Sequence, residues 1–480
     1  MKQNDWKIIY SSYEGVAKQT IRFLSKEAGK YIIRENGVYR IYVLPCEKEG
    51  AAVTKNAFFV GFYNESPTIR NFVRSEEIKD GGFLVKVVKN PDDEEGRFVI
   101  LTANDERELF YAAVSFIDDY IPEYAPKHGA NKMPELMFDS PLPEYSHTEA
   151  PANATRSIFT WGHSINDFRL YIDNMARLKF NELIIWNDFV PLNIRDVIDY
   201  AHSYGIKVNL GYSWGWIDGC NTITDISDAR LDELKALIIE KYEREYAPVG
   251  CDGIYFQSFT ERGDEYIGGR LIAEAVTTLV NNTAGELLAK YPTLKLQFGL
   301  HALSVNKRLE EIAKVDTRVE ILWEDCGSYP YHYNSFVESE ESFERTLEFT
   351  KKLLELRGGV GVGLVFKGVM MLDWQKFVYQ SGPYVLGENS YRMAEHDRGI
   401  RRDAWRIYSA NWMKYGHYFA KMERFIGENK KSPVDMCMAG TFDGEVYLPF
   451  ALAAEMLYKR DEKFEDTLGR VSARDYISLG

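Results

Sequence analysis

The sequence predicts an α/β protein built around a (β/α)8, TIM-like barrel, with a small α+β domain before the barrel and a mainly helical region after it. Two observations indicate this fold class. From residue 155 onward, apolar strand-like runs and amphipathic helices alternate seven times, which is the rhythm of a closed parallel barrel. Before residue 145, strand-like runs follow one another with little helix between them. The predicted domains are residues 1–145, 152–390 and 391–480.

The first domain is predicted from four strand-like runs, at residues 38–43, 57–61, 82–88 and 97–102. The last two flank an acidic turn and are expected to form a hairpin. Asn104 or Asp105 then caps a helix whose apolar residues recur at helical spacing. A proline-containing stretch up to Pro151 closes the domain and separates it from the barrel.

Seven barrel strands are predicted from short apolar runs, each followed by a helical pattern. Most of the runs are apolar at consecutive positions, as expected for parallel strands that are buried on both faces. Two segments are candidates for the eighth strand, residues 384–387 and residues 436–439, and helical patterns dominate after residue 391. The seven predicted strands are residues 156–161, 182–186, 206–214, 251–261, 294–301, 319–323 and 362–368.

Charge and composition restrict the class of partner. The formal net charge of −14 argues against nucleic acid or an anionic membrane as the natural partner, because phosphate binding needs a basic surface. The N-terminus lacks the pattern of a secretory signal, and no apolar run is long enough to cross a bilayer. The five cysteines are scattered, without metal-ligand spacing. We therefore expect a cytoplasmic protein with no metal and no cofactor, and the sequence is compatible with a homo-oligomer.

Carboxylates and indoles collect at the predicted carboxyl ends of the strands, which meet at one face of a parallel barrel where active sites form. The fourth strand runs out to Glu261, the sixth is followed by Glu324 and Asp325, and Asp373 comes after the seventh. These four are the predicted catalytic residues. The predicted substrate-binding residues are Trp161, His163, Asp188, Trp214, Trp216, Arg262, His301, Trp323, Tyr331, Lys367 and Trp374.

Carboxylates interleaved with exposed rings are what the hydrolysis of a glycoside requires. One acid protonates the leaving oxygen, a second carboxylate acts as base or nucleophile, and aromatic faces pack on sugar rings. We therefore predict a carbohydrate substrate and carboxylate catalysis. Two alternatives are open. One is a carbohydrate-binding protein without catalysis on the same scaffold, and the other is a metal-dependent hydrolase that uses His163, Asp188, Glu261 and His301, which lack the tight spacing typical of metal ligands.

The layout of the chain resembles glycoside hydrolases that place a small α/β domain before a catalytic barrel, notably the family 67 α-glucuronidases and the family 20 hexosaminidases. Residues 82–85, 101–105 and 109–113 carry the likeness in the first domain. In the barrel it is carried by the strand that begins at Asp252-Gly253-Ile254 and leads to Glu261.

The resemblance implies roles for the strand-end residues. Family 20 enzymes have an aspartate before the catalytic glutamate where this chain has Thr260, so the α-glucuronidase pattern fits better. That pattern implies Glu261 as the general acid of an inverting reaction, with the base among three later carboxylates: Glu324, Asp325 and Asp373. It also implies a cation that pairs with a uronate, for which Arg262 and Lys367 are the candidates.

Overall fold

The chain forms two compact units in the computed structural model, residues 1–151 with 202–205 and residues 152–201 with 206–480. The first unit contains a mixed β-sheet and the second a closed barrel of parallel strands. The predicted fold class is therefore confirmed. The structure describes residues 6–32, 43–53, 55–128, 132–136, 140–187, 189–216, 222–300, 304–324, 340–366, 382–440 and 445–479, with only the backbone of residues 340–342.

The strands of the first unit, in the part of the chain that the structure describes, are β1 Trp6–Tyr10, β2 Cys46–Lys48, β3 Asn56–Phe62, β4 Phe83–Asn90, β5 Asp93–Ala103, β6 Lys127–His128, β7 Met133–Pro134 and β8 Tyr145–Glu149. One sheet has the order β2-β1-β3-β5-β4-β8. β4 and β5 pair antiparallel, which confirms the predicted hairpin. Most of the strand expected at residues 38–43 lies outside the described residues.

The helices of the first unit are α1 Gly15–Gly29, α2 Pro67–Arg70, α3 Glu106–Ser115 and α4 Ile121–Tyr124. The carboxylate of Asp105 accepts the backbone N–H of Arg107 and caps α3, one of the two caps expected from the sequence. Helix α1 was not predicted. Its buried face includes Gln19, Thr20 and Glu27 among the apolar residues, and these polar residues interrupt the apolar stripe from which a helix is inferred.

The strands of the second unit are β9 Arg156–Trp161, β10 Glu182–Trp186, β11 Lys207–Ser213, β12 Gly253–Gln257, β13 Tyr266–Ile267, β14 Arg270–Leu271, β15 Lys295–Leu300, β16 Val319–Trp323, β17 Val362–Phe366, β18 Val434–Ala439, β19 Val446–Tyr447 and β20 Ile477–Ser478. The barrel order is β10-β11-β12-β15-β16-β17-β18-β9.

The eighth strand is β18, which pairs with β17 on one side and with β9 on the other and so closes the barrel. Of the two candidate segments, the one at residues 436–439 is therefore confirmed and the one at residues 384–387 is wrong. The boundary predicted at residue 390 falls inside the barrel unit. Residues 391–480 supply β18, the strand that closes the barrel. They are therefore not a separate helical region.

The helices of the second unit are α5 Phe168–Arg177, α6 Ile194–His202, α7 Asp228–Lys241, α8 Ile272–Lys290, α9 Leu309–Ile312, α10 Glu340–Glu355, α11 Tyr391–Tyr415, α12 His417–Asn429, α13 Leu448–Tyr458 and α14 Phe464–Ser472. Asp167 begins α5, because its carboxylate accepts the backbone N–H groups of Arg169 and Leu170. Across the described part of the chain, no helix is both long enough and apolar enough to span a membrane.

An ionic cluster fills the barrel interior at the amino ends of the strands. Lys295 Nζ lies 2.8 Å from Glu182, 3.3 Å from Glu320 and 2.7 Å from Asp435. Gln297, one layer further in, donates to Glu182 and to Glu320. Burial lowers the pKa of the Lys295 ammonium. The negative charges of Glu320, Glu182 and Asp435 raise it by more, so the pKa lies above its ordinary value. A single lysine from β15 therefore joins three other strands, β10, β16 and β18.

Replacing Lys295 with Met tests how far this cluster stabilises the barrel. The variant leaves three mostly buried carboxylates without their cation, and breaking a buried pair in this way typically costs about 3–5 kcal/mol. We expect the free energy of unfolding, measured in urea, to fall by that amount. The matched control is Lys290→Met, because Lys290 is half exposed and pairs with Glu243 on the surface, where an ion pair contributes about 0–1 kcal/mol. Equal losses in both variants would contradict a structural role for the cluster.

Candidate active site

Aromatic side chains line the barrel interior at the carboxyl ends of β9, β10 and β12. Phe159 and Tyr255 are buried, whereas Trp161 and Trp186 pack against them and remain partly exposed. The ring centroid of Tyr255 lies 5.0 Å from that of Phe159 and 5.8 Å from that of Trp186. Trp216 extends the group, 6.3 Å from Trp186. We call these five residues the aromatic cluster.

Glu324 lies beside this cluster, directly after β16, and is only 2% exposed. One carboxylate oxygen, Oε1, accepts hydrogen bonds from the hydroxyl of Tyr255 and, at 2.6 Å, from the side-chain amide of Gln257. Both donors belong to β12 and are two residues apart, so they share the inward face of that strand. Because β12 and β16 are separated by β15, the contact runs across the barrel interior.

Tyr255 is the donor in this contact and Glu324 is the acceptor. Burial, together with the negative charge of Glu324, raises the pKa of Tyr255 well above its ordinary value. The phenol therefore keeps its proton and donates a hydrogen bond to Glu324. Hydrogen bonds donated to a carboxylate stabilise its charged form, and here two donors converge on one oxygen. The arrangement suits a group that accepts a proton or stabilises positive charge, rather than one that releases a proton.

Two glycines leave room for these side chains. A Cβ on Gly299, in β15, would overlap the ring and hydroxyl of Tyr255. A Cβ on Gly211, in β11, would lie 2.7 Å from the indole of Trp186, closer than real Cβ contacts allow. Gly299 and Gly211 thus permit large aromatic side chains to lie across neighbouring strands inside the barrel.

Glu261 lies beyond the end of its strand. β12 ends at Gln257 rather than at the predicted residue 261, because the chain turns there and the N–H of Thr260 donates to the carbonyl of Ser258. The side chain of Glu261 is exposed in the following loop. Arg262, next to it, donates from Nη1 to the backbone carbonyl of Ile223 at 2.7 Å.

Two predicted substrate-binding indoles are corrected by the structure. Trp214 is 0% exposed and stacks on Phe256 with ring centroids 3.6 Å apart. Trp323 is also 0% exposed. Tyr255 and Glu324 face into the barrel, so their chain neighbours Phe256 and Trp323 face the opposite way, as alternation along a strand requires. The ring faces of Trp214 and Trp323 are therefore covered and are not offered to a ligand.

The remaining predicted site residues divide into two groups. The structure brings Trp161 and Trp216 into the aromatic cluster, and it places His163 in a 3-10 turn directly after β9. Seven of the predicted residues lie outside the described part of the chain: Asp188, His301, Asp325, Tyr331, Lys367, Asp373 and Trp374. The four-residue metal set considered from the sequence includes two of these seven.

Tyr255, Gln257, Phe159 and Trp186 were missed by the sequence-based prediction. All four lie within the predicted strands. They were not among the strand-end residues that were considered as candidates. The polar Gln257 in an otherwise apolar run was the one available signal, because an amide in a buried strand needs a partner. The partner, Glu324, is distant in sequence, so the pairing required the barrel register.

No protein-family model and no curated protein matches this chain. Three solved structures of similar fold carry glycoside hydrolase names, in keeping with the resemblance predicted from the sequence. One is a family GH115 4-O-methyl-α-glucuronidase, BtGH115A, with specificity for decorated arabinogalactans. It shares 13% identity over 98% of this chain and 59% of its own length, with a TM-score of 0.48.

The other two are CpGH84D and a GH138 enzyme that targets pectin rhamnogalacturonan II. CpGH84D shares 13% identity over 89% of this chain and 82% of its own, with a TM-score of 0.43. The GH138 enzyme shares 10% identity over 95% of this chain and 51% of its own, with a TM-score of 0.45. At these identities and TM-scores the likeness is one of fold alone.

Burial of His163 lowers its pKa from 6.5 to about 4, which makes stability depend on pH. Between these values the unfolded chain binds a proton that the folded protein does not, so stability falls as the pH drops from 6.5 towards 4. We expect His163→Gln to flatten this part of the stability profile, measured as the urea midpoint against pH. His396→Gln, which alters an exposed histidine on α11, is the control. An unchanged slope in His163→Gln would show that the imidazole is not kept neutral by burial.

Proposed function

We propose that the protein is a glycoside hydrolase that cleaves a short oligosaccharide or small glycoside by carboxylate catalysis at the carboxyl end of the barrel. The observation that carries this proposal is the contact of buried Glu324 with Tyr255 and Gln257 beside partly exposed Trp161 and Trp186. The contact places a carboxyl group that accepts two hydrogen bonds next to aromatic faces, and sugar hydrolysis uses carboxyl groups beside aromatic rings.

Glu324 takes the role of the base that activates water, or of the carboxylate that faces the developing positive charge. Its two donors favour the charged form, so a different group must protonate the leaving oxygen. Glu261 is our candidate for that acid, because its exposed position in the loop after β12 leaves it accessible to a leaving group. Asp325 and Asp373, the other two candidates for the base from the sequence, lie outside the described residues.

The aromatic cluster supplies the surface for a sugar ring. Indoles that are partly exposed can cover the C–H face of a pyranose while the hydroxyls turn to polar groups. Trp161 and Trp186 come from adjacent strands, β9 and β10, and pair in register with each other. Their backbones are therefore fixed by the barrel, which keeps the indoles in place before a substrate binds.

The finer proposal is an inverting reaction on a glycoside with a uronic acid at its non-reducing end. A uronate requires a cation, and a charge-assisted hydrogen bond of this kind contributes about 1.5–3 kcal/mol. Arg262 follows Glu261, and its side chain is 15% exposed. Its Nη1 is held by Ile223, which fixes the guanidinium in one orientation in the loop after β12.

The experiment that tests the proposed function is a screen of the purified protein against aryl glycosides and short aldouronic acids, with and without a chelator. Cleavage that is unaffected by the chelator and inverts the anomeric configuration, followed by NMR of the first product, is expected. Cleavage of neutral sugars alone would contradict the uronate proposal. Loss of activity with the chelator would favour a metal-dependent hydrolase, and sugar binding without turnover would favour a carbohydrate-binding protein.

Replacing the two carboxylates separates their roles. Glu324→Gln preserves the size of the side chain but removes the charge, and we expect kcat to fall by about 10²-fold or more on every substrate that the protein cleaves. Glu261→Gln should lower kcat by a similar factor on substrates with poor leaving groups and much less on activated aryl glycosides. The control is Asp232→Asn, which alters an exposed carboxylate on α7. A loss in Glu261→Gln that is equal on both substrate types would show that Glu261 is not the acid.

Tyr255→Phe tests whether the phenol keeps Glu324 ionised. Loss of one of the two donors makes the charged carboxylate less favourable, so we expect the acidic limb of the kcat/KM profile to move to higher pH. A purely structural role for Tyr255 would change the height of the profile but not the position of that limb. The control is Tyr246→Phe, since Tyr246 is a buried tyrosine stacked on Tyr212 at 4.5 Å.

A further inference from the structure

Three exposed apolar side chains lie on loops at the carboxyl end of the barrel. Leu192 is 70% exposed, Val385 is 45% exposed and Phe189 is 38% exposed. We call these three residues the apolar rim. They lie far apart in the sequence, yet Leu192 and the residue before Val385 are joined by a backbone hydrogen bond, from the N–H of Leu192 to the carbonyl of Tyr384, at 2.8 Å.

Side-chain and backbone hydrogen bonds fix the loops that carry the rim. The side chain of Asn193 both donates to the carbonyl of Leu386 at 2.9 Å and accepts its N–H at 2.8 Å. The carbonyl of Gly387 accepts the N–H of Phe168, the first residue of α5. Leu192 and Val385 are therefore held outward by an ordered backbone, so their exposure is not the result of a loose chain end.

The rim adjoins the aromatic cluster. The hydroxyl of Tyr384 packs against Gly162, so closely that a Cβ on this glycine would overlap it, and Gly162 directly follows Trp161. On the neighbouring strand, Asn187 follows Trp186 and donates to the carbonyl of Phe189 at 2.7 Å. The loops that carry the rim therefore follow, or pack against, the strand ends that carry the two indoles that we assign to sugar binding.

The charged side chains that follow the rim residues in the described part of the chain have partners elsewhere. Glu388, three residues after Val385, pairs with Arg169 of α5 at 2.7 Å, and Arg195, three residues after Leu192, donates to the carbonyl of Pro248 at 2.6 Å. An ordered apolar surface binds an apolar ligand more tightly for each methylene group that it removes from water. It has little to offer to a second sugar ring, whose hydroxyls need polar partners.

We infer that the apolar rim binds an apolar leaving group, so that the substrate is a glycoside of an alkyl or aryl alcohol rather than a sugar chain. This inference rests on the proposed function for the position of the sugar. With the sugar against Trp161 and Trp186, the leaving group extends along Phe189, Leu192 and Val385. In this arrangement the rim residues contact the leaving group, so they determine which alcohols the protein accepts as leaving groups.

The test uses methyl, butyl and octyl glycosides of glucose and glucuronic acid, in both anomeric forms and below the concentration at which octyl glycosides form micelles. The leaving alcohols differ little in chemistry but differ in apolar length. We expect kcat/KM to be about tenfold higher for the octyl than for the methyl compound, equivalent to burying roughly two methylene groups. In the double variant Leu192→Ser, Val385→Ser the octyl-to-methyl ratio should fall towards one.

The control is Leu237→Ser, which removes an exposed leucine of similar type, 44% exposed, from α7 and should keep the octyl-to-methyl ratio.

Hydrolysis with a ratio near one in the unaltered protein would overturn the rim inference while the proposed function stands. Absence of any hydrolysis would overturn the proposed function. The rim is then tested by calorimetry with octyl and methyl thioglucoside, where equal affinities would overturn it. A dimer in sedimentation that the double variant dissociates would assign the rim to a second copy of the chain instead.

Discussion

The candidate site depends on one contact across the barrel, from Tyr255 and Gln257 on β12 to Glu324 after β16. A buried carboxylate is costly unless donors converge on it, and neither donor is near Glu324 in the chain. Only the closed barrel brings them together, with Gly299 on the intervening strand leaving space for the phenol. The position of Glu324, its two hydrogen bonds and the packing of the indoles beside it all follow from this constraint.

The barrel interior separates two tasks along its axis. At the amino ends of the strands, one ammonium, that of Lys295, lies among the carboxyl groups of Glu182, Glu320 and Asp435, and burial together with Asp435 raises the pKa of Glu320 well above its ordinary value. At the carboxyl ends, by contrast, the neutral side chains of Tyr255 and Gln257 donate to Glu324. The first cluster joins four strands and suits a structural role, whereas a carboxyl group held only by neutral donors can still respond to a substrate.

Several elements could be predicted from the sequence because their signal is local. Strands β9, β10 and β16 have the predicted bounds, since each is an apolar run between polar residues. The orientation of single residues could not be predicted. Trp214 and Trp323 were expected at the site but face away from it, because a strand that is buried on both faces gives no sign of which side faces inward. The partnership of Gln257 with Glu324 is equally invisible without the register, and α1 was missed because polar residues interrupt its apolar stripe.

The most direct measurement of the account is a crystal structure of the protein with the released sugar bound. We expect the sugar ring to lie against Trp161 and Trp186, with the carboxylate of Glu324 about 2.6–3.2 Å from the hydroxyl on the anomeric carbon or from the water that replaces it, which is the reach of a catalytic base. A sugar that binds away from the carboxyl ends of the strands, or that binds there without approaching Glu324, would contradict the assignment of this site.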